Sequence, residues 1–372
     1  MERIELLNRS EMAGGGSSFL GRECLRESFA APVARLDTFV GRLGSVLYTR
    51  DYPINQYVIW ADAAGLFELM ERRGAVTIAD VCSDTILNEE GSDALLGVLC
   101  ALGLTTRSPA GRYAMTPDAR EYCLQSSPYY VVDQLGARRK PLPRPYFARG
   151  MMWRQKIWWK LKGLLPSMRF GSPMRLLNQH ARNLPACAAA VRTGEFRGVK
   201  CMIDIAGGSG TFSIPLALEN QVERIVLAEL PQALKNIRPY LVEHGLERRV
   251  ELLGMNVLEY PWRIPACDGV FIGNFLHGFR DDVCRRVCEE AFRNLAPGGK
   301  LWIHEMIWNE NKDGPVFTAL MNAAMRKGPG LQRTAQEIVA ILESAGFVDP
   351  YVVPTSGVFA LIVGRKPVST RS

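Results

Sequence analysis

Of the four histidines in this 372-residue chain, His277 stands where a base could act. It lies in Phe275-Leu276-His277-Gly278-Phe279, directly after an apolar run, Gly269–Asn274, that reads as a strand closed by Asn274. An imidazole of pKa about 6.5 is mostly neutral at pH 7 and can take a proton from a hydroxyl as its oxygen attacks. A phenol of pKa about 10 is a poor nucleophile while protonated, and a positioned base is worth roughly 10²–10⁴-fold in rate. The bland alternative is a packing histidine at a helix N-terminus.

A second cluster could hold a nucleoside. Asp204-Ile-Ala-Gly207-Gly208-Ser-Gly210 follows one apolar run and precedes a helical pattern. Glycines there let the backbone turn tightly and approach a ligand with no Cβ in the way. Glu229, with Leu230 beside it, ends the next strand, 19 residues beyond Gly210. A carboxylate there can accept both hydroxyls of a ribose. Met255 and Asn256 end a third strand, where the thioether can lie against an adenine ring and the amide can bond its edge. The pattern Gly208, Gly210, Ser213 comes close to a dinucleotide fingerprint, so the motif alone leaves a nicotinamide cofactor open.

These residues need a parallel sheet to bring them together, and the second half of the chain carries its signal. Strands are expected at Cys201–Ala206, Arg224–Glu229, Val250–Leu253, Gly269–Asn274 and Lys300–His304. Helices are expected at Thr211–Leu218, Gln232–His244 and Asp282–Leu295. Alternation at this spacing implies a sheet covered by helices on both faces, with ligands at the C-terminal ends of the strands. Upstream, Tyr57–Arg72, a segment from Thr77, and Glu89–Leu102 read as helices. Gly103–Thr106 and Arg112–Thr116 follow as a short hairpin, which makes a winged helix. The expected division is an arm at 1–45, a helical unit at 46–172 and a ligand-binding domain at 173–372.

Composition bounds the rest. Hydrophobic residues make up 47% of the chain, ample for a buried core, and no apolar run approaches the ~18–20 residues that span a bilayer. The N-terminus has no secretory pattern, so a cytoplasmic protein is expected, with all nine cysteines reduced. No C-x-x-C pair occurs, and no metal is expected. The net charge of +7 is local. Residues 134–193 hold 13 of the 45 Lys and Arg and no acid, leaving 32 cations against 38 Asp and Glu elsewhere. Within that segment Trp153, Ile157, Leu161 and Leu164 share a helical face. It reads as a lid, a membrane-surface helix or a solvated face.

Taken in order, AAGLFELM, DIAGGSG, AELPQAL, NVLEYP, FLHGFRDD, LAPGGKLWIHE and GLQRTAQEIVAILESAGF resemble the O-methyltransferase family that includes the plant caffeic acid and isoflavone enzymes and bacterial antibiotic-tailoring enzymes. The similarity covers about residues 55–365. It implies an α/β Rossmann-like methyltransferase domain with a mixed, mostly parallel seven-stranded sheet, behind a mainly α-helical winged-helix dimerisation domain. It implies S-adenosyl-L-methionine as cofactor, S-adenosyl-L-homocysteine as product, a small hydrophobic and aromatic acceptor, and a homodimer. It implies His277 as general base, flanked by two carboxylates. Glu305 matches one of these; the other position is Gln332 in Gly330-Leu331-Gln332-Arg333-Thr334, and the family's acid after the histidine is Gly278. His180, Met321, Asn322 and Met325 match the substrate-pocket region.

The two departures weaken the acid–base set, so C- or N-methylation, or cofactor binding without methyl transfer, stays open. A DNA-binding role for the winged helix is disfavoured. Glu89–Leu102 carries Glu89, Glu90 and Asp93 and no Lys or Arg, the wrong charge for phosphates. It suits burial against a partner subunit instead.

Overall fold

Residues 54–127, 130, 132, 186–219, 221–235, 237–326 and 328–368 are described by the computed structural model. The N-terminal arm, the 172/173 boundary, the tryptophan-rich helix and His180 fall outside them.

The helical unit opens with α1 (Ile54–Ala63) and α2 (Leu66–Arg73). One continuous helix was expected here. Gly65, at φ 71°, takes the left-handed conformation that a Cβ disfavours and breaks it in two. Helix α3 (Ile78–Asp84) starts with a capping box, in which the Thr77 hydroxyl accepts from the Asp80 N–H and the Asp80 carboxylate accepts from the Thr77 N–H. Helix α4 (Glu89–Ala101) is capped by Asn88. Then β1 (Thr105–Arg107) pairs antiparallel with β2 (Tyr113–Met115), and α5 (Pro117–Cys123) follows. The expected order of helices then hairpin is present.

The apolar side of α4 is used within the chain rather than presented to a partner. Leu95, Leu96, Val98 and Leu99 are fully buried in a core that also takes Trp308, Ala319, Leu320 and Ala323 from far downstream. Burying each such leucine contributes about 1.5–3 kcal/mol.

The second unit is the expected sheet. Its strands are β3 (Val199–Ile205), β4 (Val222–Glu229), β5 (Val250–Gly254), β6 (Cys267–Gly273), β7 (Leu295–Trp308), β8 (Arg333–Thr334), β9 (Val348–Ser356) and β10 (Phe359–Arg365). Seven run in the order β5-β4-β3-β6-β7-β10-β9, and the two-residue β8 pairs with β7 as an eighth. Pairs from β5 through β7 are parallel, while β10 is antiparallel to β7 and β9. The chain runs outward from β3 through β4 to β5, then returns to add β6 on the other side. The switch point therefore lies between β3 and β6, the position at which sheets of this kind bind ligands beyond the strand ends.

Alternation along each strand buries both faces. Ile203, Ile205, Val226, Ala228, Val270 and Ile272 face one core with α9 (Asp281–Asn294) and α11 (Ala335–Ser344). Met202, Ile225, Leu227, Phe271 and Trp302 face the other with α6 (Ser213–Leu218) and α8 (Arg238–Glu243). The expected helix Gln232–His244 is interrupted between α7 (Pro231–Leu234) and α8. Helix α10 (Val316–Met325) leaves the sheet after β7 and joins the helical unit's core.

One cysteine expectation is corrected. Cys201 and Cys267 lie on the adjacent strands β3 and β6 with Cα atoms 5.1 Å apart, and their sulfurs are bonded. Sheet pairing brings them together across 66 residues, a proximity that spacing alone does not reveal. No described helix is long and apolar enough to cross a membrane.

Candidate active site

The glycine loop turns between β3 and α6. Ala206, Gly208 and Gly210 all take positive φ, at 54°, 58° and 75°. Gly207 is required for closeness: a Cβ there would meet Leu227 Cγ at 2.7 Å and Asp204 Oδ2 at 2.9 Å. Gly207→Ala is therefore expected to cost about 1–3 kcal/mol in urea unfolding, the usual cost of overpacking. An unchanged midpoint would mean that the loop relaxes freely. At Gly208 the outer side is open, since a Cβ would meet nothing nearer than a backbone oxygen at 4.0 Å.

Glu229 ties this loop to the end of β4. Its Oε2 accepts from the Gly208 N–H at 3.0 Å and its Oε1 from the Leu230 N–H at 2.7 Å. Burial pushes its carboxyl up, and the two N–H groups pull it partly back. A carboxylate has about four acceptor sites, so two remain for a ligand diol. Asp204 is placed beneath the loop, where it accepts from the Ser213 hydroxyl and props the first helical turn. Burial pushes its pKa up to about 7, the Ser213 bond lowers it, and the Glu229 charge raises it.

Met255 and Asn256 follow β5, one strand further out. The Met255 N–H donates to the Glu229 backbone oxygen at 2.9 Å, which sets the two sites side by side. The Asn256 amide closes its own turn: its Nδ2 donates to Glu259 at 3.0 Å and its Oδ1 accepts from the Leu258 N–H at 3.1 Å. Asn274, at φ 51°, donates its N–H to the His304 oxygen at 2.8 Å, and its buried Nδ2 has no hydrogen-bond partner among the described residues.

After β6 the chain makes one 3-10 turn, Leu276–Gly278, and Glu305 of β7 organises it. Glu305 Oε1 accepts from the N–H groups of Phe275 at 2.8 Å, Leu276 at 2.7 Å and His277 at 3.4 Å. Its Oε2 meets His277 Nδ1 at 2.8 Å. A carboxylate on Nδ1 places the imidazole proton there and leaves Nε2 as the acceptor. Burial disfavours the imidazolium, but the Glu305 charge and hydrogen bond outweigh it, so the His277 pKa is raised overall despite opposition from Arg333. Glu305 is 2% exposed. Burial would push its carboxyl up, and the His277 charge and hydrogen bonds hold it below the usual range instead.

The third segment is Gly330–Arg333. A Cβ on Gly330 would lie 2.4 Å from the His277 backbone oxygen, so this strand of chain presses directly on the base-bearing turn. Buried Arg333 clamps the turn, donating to the oxygens of Leu276 at 3.2 Å and Phe279 at 2.8 Å while pairing with Asp281 at 2.6 Å. Arg333 was not marked as a site residue from sequence, because a clamp on backbone oxygens has no motif. Gln332 is 2% exposed, and its N–H donates to Asn322 Oδ1 at 3.0 Å. Asn322 in turn donates to Asp93 of α4 at 3.1 Å. Asp93 was noted only as an acid on an unsuitable DNA-reading helix; it joins the helical unit to the site. Met321 and Met325 sit half-buried on the same helix, α10.

The remaining histidine of β7 is structural. His304 is fully buried, stacks 5.4 Å from Phe359 and bonds Thr355, and burial pushes its pKa down to about 4. Among the described residues no cluster of three His, Cys, Asp or Glu could hold a metal.

The comparisons bear on this arrangement. The model of the O-methyltransferase domain family matches residues 174–348. The S-adenosyl-L-methionine-dependent methyl transferase PigF of a Serratia species is 30% identical over 176 residues, 46% of this chain and 50% of its own. Isoflavone 7-O-methyltransferase of Glycyrrhiza echinata is 32% identical over 181 residues, 45% of this chain and 46% of its own. The chain thus spans about half the length of these curated relatives. The crystal structure of an O-methyltransferase family 2 protein from Planctomyces limnophilus, in complex with apigenin, superposes with a TM-score of 0.69 at 21% identity, over 88% of this chain and 96% of the other. That likeness shows the fold. Residues 174–348 are thus similar to the O-methyltransferase domain family, a match that spans a little under half of the 372-residue chain.

Proposed function

We propose that this protein transfers the methyl group of S-adenosyl-L-methionine to a hydroxyl of a small hydrophobic, aromatic acceptor. The observation that carries the reading is the His277–Glu305 pair at 2.8 Å: His277 follows β6, the strand that flanks β3 across the switch point, and Glu305 lies on β7 beside it.

The residues fit the cofactor. The Gly208 side of the loop is open to a close approach, and Glu229 keeps acceptor sites for a ribose diol. Asn274 Nδ2 is a buried donor without a described partner. Gly207, Gly208, Gly210, Glu229, Leu230, Met255, Asn256 and Asn274 would hold it, with Asp204 bracing the loop from below. When bound, the sulfonium supplies an electrophilic methyl.

The protein's own part is to orient and to move one proton. Glu305 fixes the imidazole through Nδ1, so Nε2 receives the acceptor's hydroxyl proton as its oxygen attacks. The resulting imidazolium is stabilised by the adjacent carboxylate. Asn322, Met321 and Met325 on α10 form a wall beside Gln332. The same reading makes the chain a cytoplasmic homodimer acting in secondary metabolism, joined through its winged-helix unit. Support for dimerisation comes from the family alone, since α4 is consumed by intrachain packing.

Calorimetry tests the foundation. S-adenosyl-L-homocysteine should bind, and Glu229→Gln should weaken it about 10- to 100-fold, the loss of one or two charge-assisted hydrogen bonds. A protein with no affinity for either form of the cofactor would end the proposal.

A further inference from the structure

We infer that Gln332 reads the acceptor: its side-chain amide selects molecules that present a neutral hydrogen-bond donor and acceptor side by side next to the reacting hydroxyl. This rests on the functional reading above and narrows its substrate class.

The amide is 2% exposed, and neither Oε1 nor Nε2 has a hydrogen-bond partner among the described residues. An amide offers two donors and two acceptor lone pairs, and leaving such groups buried and unmet is costly. A residue kept only for packing would be apolar there. Its position is also fixed from three sides. The backbone N–H is held by Asn322, which is held by Asp93. The same Asp93 oxygen forms an ion pair with Arg326, whose Nε lies 3.1 Å away. On either side in sequence, Gly330 presses on the His277 oxygen and Arg333 grips the Leu276 oxygen. The unmet amide thus belongs to a segment clasped to the turn that carries the base.

The chemistry of the group sets the ligand. A neutral donor–acceptor pair is complemented by another, such as a carboxamide or lactam edge, with two parallel hydrogen bonds. A carboxylate on the acceptor would satisfy Nε2 but set a negative charge against Oε1. A methyl group would leave both atoms unmet. A site built around polar groups rejects analogues that leave them unpaired.

The test uses hydroxybenzamide, methylphenol and hydroxybenzoate, each as ortho and meta isomers so that spacing is not presupposed. Their dissociation constants are measured with the full chain, with and without S-adenosyl-L-homocysteine. Expected is a preference of about tenfold or more for a hydroxybenzamide over the matching methylphenol and hydroxybenzoate. Gln332→Leu should erase that preference while cofactor-product affinity and melting temperature stay near wild type. Gln332→Glu, which loses the donor and adds charge, should shrink the preference and weaken hydroxybenzoate further. The idea is overturned if no isomer of the amide is preferred, or if the preference survives in Gln332→Leu. Failure to bind S-adenosyl-L-homocysteine would sink the cofactor reading instead and is read separately from the ranking.

Discussion

If His277 is the base of the proposed methyl transfer, its replacement by Ala is expected to lower the rate by about 10²–10⁴-fold, with S-adenosyl-L-homocysteine affinity unchanged. The size follows from what is removed: a base oriented by Glu305, but not the cofactor grip or the acceptor wall. Because Glu305 raises the His277 pKa, the acid limb of kcat/KM should lie above 6.5, the ordinary value for histidine. The base works only when neutral, so activity rises with pH through that limb. Transfer that persists undiminished in the variant would remove His277 as base and leave alignment of the reactants as the source of rate.

Glu305 carries the second large effect, and two substitutions separate its roles. In Glu305→Gln an amide replaces the carboxylate with little change of shape. If the amide oxygen keeps the three backbone N–H bonds, its nitrogen donor faces His277 Nδ1. Nδ1 must then accept, the ring proton moves to Nε2, and the nitrogen needed as base is blocked. The loss should approach that of His277→Ala, with folding largely retained. Glu305→Ala instead leaves three backbone donors and the imidazole without their acceptor. The cost of breaking a buried pair is about 3–5 kcal/mol, read as a lowered denaturation midpoint.

The pH dependence of that cost has a definite sign. His277 is raised on folding, so its contribution is full below 6.5 and fades as pH rises through its folded pKa. Glu305 is lowered, so its contribution is full above 4.5 and fades as pH falls through its folded pKa. The stability gap between wild type and Glu305→Ala should therefore be widest between about pH 4.5 and 6.5. The proposed catalysis would need neutral His277 and is expected to be favoured above that window. A gap that is flat from pH 4 to 9 would mean that the pair is not ionic in the folded protein.

Much of this site was legible in the chain. The strand-and-helix alternation from Cys201 to His304, the glycine loop and the acid at Glu229 follow from periodicity and local turn chemistry. These are short-range properties, so the parallel sheet and its ligand-binding edge could be anticipated. Where the reading slipped, the reason was also local. The glycine at 65 ended a helix that the apolar stripe alone would continue.

What depended on the tertiary structure is every relation between distant residues. Glu305 and His277 are 28 residues apart, and only the β6–β7 pairing turns them into a dyad with a shifted pKa. The path from Asp93 through Asn322 to Gln332 spans 229 residues and then 10, because α10 leaves the sheet to pack on α4. The Cys201–Cys267 bond arises the same way, from neighbouring strands. Sequence settled which groups are present and which elements carry them. Their mutual distance, burial and charge were decided by folding, since hydrogen bonds and desolvation act over a few ångströms whatever the separation along the chain.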